Sequence, residues 1–100
     1  MLYKDYLKTT LRLSNNTLLS YSFDIEDFSK FFINKNLSVL TLQDFRSFIS
    51  ERVNQRNLTT SSNARAISAI KSFYKFLEKN HGIKNENIKN LKSPKLPKTL

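Results

Sequence analysis

Apolar residues recur along this chain at spacings of three and four, the pattern of helices that bury one face. A first helix is expected over roughly Leu2–Leu11, with Leu2, Tyr6 and Leu7 inward. Ser14 is placed as the N-cap of a second helix running to about Asn34. Within it Leu18, Tyr21, Ile25, Phe28 and Phe32 form one stripe. Leu19, Phe23 and Phe31 lie off that stripe, so this helix is expected to meet neighbours on more than one side. Residues 34–40 read as a loop. Thr41 then caps a third helix, about Leu42–Arg56, with Asp44 in its third position beside the free amides; Phe45, Phe48, Ile49 and Val53 are its expected core face. The polar break N-L-T-T-S-S-N introduces a fourth helix, roughly Thr60–Asn80, which Gly82 ends. A short helical segment is expected at Asn85–Leu91. The tail K-S-P-K-L-P-K-T-L reads as an extended linker, because Pro94 and Pro97 disfavour helix. The organisation is therefore an all-α domain over residues 1–91 and a linker over 92–100.

Composition sharpens this picture by exclusion. One hundred residues suit a single domain, and eight Phe with four Tyr supply a bulky core. Without cysteine there is neither a disulfide framework nor a thiolate metal site. The lone histidine, His81, leaves no metal-ligand cluster and no Ser-His pair, and its place at a helix end suggests a solvent-facing role. No cofactor or metal is expected. The opening M-L-Y-K-D-Y-L-K has charges inside its apolar segment, unlike a secretory signal, and no apolar run is long enough to cross a bilayer. These features imply a cytoplasmic protein with no membrane partner.

Charge supplies the first positive clue. Seventeen Lys and Arg oppose eight Asp and Glu, for a net +9. Residues 64–100 hold nine of the basic groups and only two acids, Glu78 and Glu86. On a helical wheel of the fourth helix, Ala66, Ile67, Ala69, Ile70, Phe73, Tyr74, Phe76 and Leu77 share one half. Arg65, Lys71, Lys75 and Lys79 fall on the other, interleaved with Ser61, Ser68 and Ser72. A solvated face commonly mixes Glu with Lys, whereas here Glu78 is the only acid, and a polyanion is the natural partner of such a surface.

Three segments in order carry a resemblance. L-S-N-N-T-L-L-S-Y-S-F-D-I-E-D-F at Leu13–Phe28 is similar to the L-S-x-N-T-x-x-x-Y-x-x-D-L-x-x-F signature of tyrosine recombinases. L-T-T-S-S-N-A-R-A-I-S-A-I-K-S-F-Y-K-F-L at Leu58–Leu77 resembles that family's S-x-x-R-x-[LI]-S-A-[LI]-[RK]-x-F-Y-x-[FY]-L stretch. N-E-N-I-K-N-L-K-S-P-K-L-P-K-T-L at Asn85–Leu100 is similar to its exit into the catalytic domain. The subgroup most alike is the Xer recombinases, which resolve chromosome dimers. Two departures stand out. Glu86 replaces the usual proline after Asn85, and Ser22-Phe23 replaces a common basic pair after the tyrosine, removing one expected phosphate contact from the second helix.

The resemblance implies a SAM-like, orthogonal bundle of four main helices, which grips one face of duplex DNA while a catalytic domain covers the other. It also implies a full-length enzyme that breaks and rejoins DNA, paired with a second recombinase protomer in a tetrameric synapse. This fragment itself is expected to hold no catalytic residue: the basic constellation that polarises the scissile phosphate is lacking, so Tyr74 is not a nucleophile. Carried over residue by residue, DNA contacts fall on Asn16, Thr17 and Ser20 of the second helix. On the fourth they fall on Thr60, Ser61, Asn63, Arg65, Ser68 and Lys71. The physics agrees, since free amides and the macrodipole at a helix start attract phosphate.

Each assignment has a plainer alternative. Ser14, Asn16, Thr17, Thr60 and Ser61 can simply cap helices, Arg65 can pair with Asp24 or Asp27, and Tyr21 and Tyr74 can be core. Asp24, Glu26 and Asp27 argue that only the first turn of the second helix meets DNA. Three rival functions stand beside the Xer reading. One is a phage or transposon integrase, disfavoured by the start at Met1 without a preceding arm-binding domain. Another is a basic helical module for an acidic protein. A helix-turn-helix regulator is the third, disfavoured because its turn commonly uses glycine.

Overall fold

The computed structural model describes residues 3–56 and 59–91. Leu2 and the anticipated linker at 92–100 lie outside the described residues. Four helices follow one another: α1 (Tyr3–Thr9), α2 (Asn15–Phe31), α3 (Leu42–Arg56) and α4 (Thr60–His81). Short 3-10 turns occur at Leu37–Val39 and Glu86–Asn90, and no strand occurs among the described residues. The all-helical expectation and the four main elements are as the apolar spacing indicated.

The helix ends follow local chemistry. Ser14 caps α2, accepting a hydrogen bond from the Thr17 amide. At α3 the cap is reciprocal: the Asp44 amide donates to Thr41 Oγ1 at 3.2 Å, and the Thr41 amide donates to an Asp44 carboxylate oxygen at 2.8 Å. α4 starts at Thr60, as expected, and its cap is Thr59, not Thr60 or Ser61, with Thr59 Oγ1 accepting from the Ser62 amide. Gly82 closes α4 in the left-handed conformation, φ +66°.

The core is aromatic. Phe28 of α2 lies against Phe45 and Phe48 of α3 and Phe73 and Tyr74 of α4, with ring centroids 5.4–6.5 Å apart. Tyr6, Ile25, Phe32, Ile67, Ile70 and Leu77 are buried around them. α1 is pinned on α4 by Tyr3, whose hydroxyl shares a 2.8 Å hydrogen bond with Ser72 Oγ. Ser72 thus faces α1 and does not extend the open polar face. Beyond α4, Asn85 is buried and its amide donates to the Leu37 and Leu40 carbonyls, tying the last turn to the α2–α3 loop.

As expected, α2 meets neighbours on more than one side: α1, α3 and α4. Leu19 and Phe23 are not the residues that do so; they remain 63% and 51% exposed, because no described element covers that side. Phe31 is partly exposed yet does reach α3, with its ring 5.4 Å from Phe48. Val53 is also exposed: the inward stripe of α3 passes from Phe45 and Phe48 to Arg52 instead.

Candidate nucleic-acid interface

Contacts between α2 and α4 set the geometry of the surface. Asp24 meets Arg65, and four residues further along α2 Phe28 meets Phe73 and Tyr74. The chain therefore advances in the same sense along both helices, and their amino-terminal ends project toward the same end of the bundle. At about 1.5 Å per residue, the start of α2 lies about 14 Å, and that of α4 about 8 Å, from the Asp24–Arg65 contact.

Those two ends share a chemistry that the other α-helices lack. Each begins with a hydroxyl cap that also bonds the hydroxyl three residues on: Ser14 to Thr17 at 3.0 Å and Thr59 to Ser62 at 3.1 Å. Neither has an acid in its first turn, whereas α1 carries Asp5 and α3 carries Asp44 there. The positive end of each dipole is left without a carboxylate to offset it. Asn16 and Ser61 are exposed beside these amides, and Thr17 and Ser20 are half-buried. Ser68 is exposed and Lys71 half-buried further along α4. The α4 backbone includes Thr60, whose side chain lies outside the described ones. Arg12, exposed and at φ +52°, stands two residues ahead of the α2 cap; it was not singled out from sequence.

Asn63 does not belong to this surface. It is fully buried, accepting from Arg52 Nε at 3.0 Å and donating to the Thr59 carbonyl at 3.1 Å. At the fourth position of α4 its side chain points inward, where the buried guanidinium of α3 requires an acceptor. The expectation of a DNA contact there is overturned.

Arg52 is the organising residue that the sequence reading missed. Its side chain is fully buried. Its guanidinium donates to Asp24 at 3.2 Å, to Asp27 at 2.7 Å and to Asn63, and lies 5.5 Å from the Phe48 ring centroid. Asp24, also fully buried, additionally accepts two bonds from Arg65: from Nε at 2.7 Å and from Nη2 at 3.0 Å. Donating to the Asp24 carboxylate holds the Arg65 guanidinium even more firmly protonated than usual. Asp24 is thus interior, and its charge is matched by two arginines instead of repelling DNA across the α2 surface. A signal was present: Arg52 continues the 45–48 spacing of the α3 core stripe, and two acids stand three apart on α2.

Tyr21 is half-buried against the core and Tyr74 buried, its hydroxyl donating to the Leu37 carbonyl at 2.8 Å; burial raises its pKa well above the ordinary tyrosine value. His81 is exposed, its ring 5.6 Å from Phe76. Among the described residues there is no group of three acids or histidines placed to hold a metal, and no helix is long and apolar enough to cross a membrane.

Comparison with known proteins agrees with this architecture. The family model described as "Phage integrase, N-terminal SAM-like domain" matches residues 1–81. The chain is 38% identical over 106 residues to "Tyrosine recombinase XerC" of Rickettsia bellii (strain OSU 85-389), covering 98% of this chain and 34% of that protein. For the protein of the same name from Rickettsia prowazekii (strain Madrid E) the identity is 37%, with the same coverage. The chain spans about a third of the length of the curated relatives it matches. No solved structure matches it. With its family model covering all four helices, the chain belongs to the phage integrase N-terminal, SAM-like domain family, of the Xer-like tyrosine recombinase kind.

Proposed function

We propose that this chain grips duplex DNA as the amino-terminal clamp of a site-specific tyrosine recombinase. The observation that carries the reading is the pairing of α2 and α4, whose acid-free starts project the same way. Backbone amides and small hydroxyls at two neighbouring helix starts can hold two stretches of sugar–phosphate backbone. Asn16, Thr17 and Ser20 serve on α2; Thr60, Ser61, Arg65, Ser68 and Lys71 serve on α4. Arg12 adds a cation at the α2 entrance. The lopsided charge of the chain supplies salt-sensitive attraction around these contacts.

The chemistry of strand breakage belongs, on this reading, to a catalytic domain that residues 92–100 would lead into. The full-length protein would break and rejoin DNA through a covalent phosphotyrosine and would work as a tetramer on two duplexes. Chromosome dimer resolution, the role that the resemblance to Xer recombinases implies, is the one we favour; integration of a mobile element is the alternative within the same chemistry.

Titration of the chain against duplex DNA and against an acidic polypeptide, over a series of salt concentrations, tests the clamp. Engagement of about four to six phosphates predicts a log–log salt slope of roughly −4 to −5 on DNA, and Lys71→Ala should make that slope shallower by about 0.9. Equal or tighter binding to the acidic polypeptide would instead identify a protein-interaction module.

A further inference from the structure

The Asp24–Arg65 contact has a directional consequence. Asp24 takes Arg65 side-on, through Nε and Nη2, so the end-on edge of the guanidinium, formed by Nη1 and the outer proton of Nη2, is not used by that contact. The Arg65 side chain keeps 35% of its surface exposed, while the carboxylate that holds it has none. Asp24 is in turn fixed by Arg52 Nη2, and Arg52 by Asp27 and Asn63. Arg65 is thus the outermost member of a chain of bonds anchored in the core, and its orientation is set before any ligand arrives.

Such an arrangement suits one kind of contact better than another. The end-on edge of a guanidinium matches the O6 and N7 acceptors of guanine in the major groove, and that match needs a fixed direction. A phosphate needs only a nearby cation and tolerates many rotamers. The electrostatics point the same way. The Asp24 carboxylate bonded directly to Arg65 offsets part of its charge, so Arg65 contributes less to long-range attraction for a polyanion than an unpaired cation would. Immobilising the side chain in advance also lowers the ordering cost at binding.

We propose that Asp24 is a positioning residue, held by Arg52, that makes Arg65 a reader of guanine in the major groove and not a phosphate clamp. The inference rests on the duplex-DNA reading above. It adds what that reading leaves open, namely which residue of the surface carries base preference.

Two measurements test it on the whole chain. In the first, wild type, Arg65→Lys and Asp24→Asn each select duplexes from a library with a randomised segment, and the selected sites are titrated over a range of salt. Wild type should enrich a guanine at one position. Arg65→Lys, which keeps the charge and loses the fork, should weaken that preference roughly 10- to 100-fold with little change in salt slope. Asp24→Asn should lose the same preference while its affinity for unselected DNA holds or rises.

The second measurement needs no variant, and so stands even if Asp24→Asn does not fold. The Arg65 Nε–H resonance, followed by NMR, should be protected from exchange in the free protein and stay protected on the selected duplex. Loss of that protection on DNA would show Arg65 leaving Asp24 for a phosphate and would overturn the inference. So would wild-type binding without any base preference that Arg65→Lys alters; either result leaves the clamp reading intact. Absence of duplex binding by wild type at low salt would remove the clamp reading, and this inference with it.

Discussion

Replacing Arg52 with methionine keeps most of the aliphatic stem and deletes a cation that joins α2, α3 and α4 in the interior. Three donors are lost: those to Asp24, Asp27 and Asn63. Breaking a buried ion pair by removing one partner costs about 3–5 kcal/mol, because the other charge is left uncompensated. Here the lower end applies. Asp24 retains both bonds from Arg65, and the Asp27 side chain is 20% exposed and can be partly hydrated. A loss of about 3 kcal/mol corresponds to a fall of roughly 12–24 °C in Tm for a domain of this size. It is also a large part of the 5–15 kcal/mol that such domains possess. Thermal melting by circular dichroism, with a parallel urea titration to check that the m-value is unchanged, reads the effect. A fall under about 4 °C with an unchanged m-value would show that the network contributes no more than a surface pair, and the argument for Arg52 as the interior anchor would be wrong.

Two further perturbations address the helix ends. The Thr41 amide hydrogen bond lowers the pKa of Asp44 below its ordinary value, with Lys35 adding to the effect, so its contribution to stability is present above the unfolded-state pKa of about 3.9 and is lost as pH falls through the lower folded value. Melting curves between pH 6 and pH 2 should accordingly show a smaller acid-induced decline in Asp44→Asn than in wild type; identical declines would mean the cap does not titrate as described. Gly82→Ala meets no atom within 4 Å, so its cost of about 1–2 kcal/mol would come from the left-handed backbone alone, and Gly82→Asn should cost less by denaturant titration.

Much of the fold was legible because it depends on local chemistry. Ser14, the Thr41–Asp44 pair and Gly82 act within one turn of their own positions, and each stands where the sequence placed it. The start of α4 at Thr60 was legible too, but its cap was not, because T-T-S-S offers several equivalent hydroxyls and only the bond from the Ser62 amide singles out Thr59. What could not be read from spacing were partners far apart in the chain. Asp24, Arg52 and Asn63 are polar residues that ordinarily seek water, and their burial is matched by the bonds that Arg52 makes to both of the others. Asn63 therefore passed for a surface residue among hydroxyls, and Asp24 for a patch of repulsion. The exposure of Leu19 and Phe23 was equally hidden, since it depends on which sides of α2 the other helices leave bare.

The same distinction separates the parts of the interface. The acid-free starts of α2 and α4 are a property of sequence, but their projection toward one end of the bundle arises from Phe28 packing on α4 and from the Asp24–Arg65 contact. Family membership of the chain accords with that surface, and the geometry says which atoms would serve it.

Amide shift mapping by NMR during titration with duplex DNA examines that surface most directly. The largest changes should cluster at residues 15–20 and 60–71, with the carboxy-terminal turns of α4 and the turn at 86–90 little affected. Changes centred on those latter elements, or spread evenly over the four helices, would contradict the account.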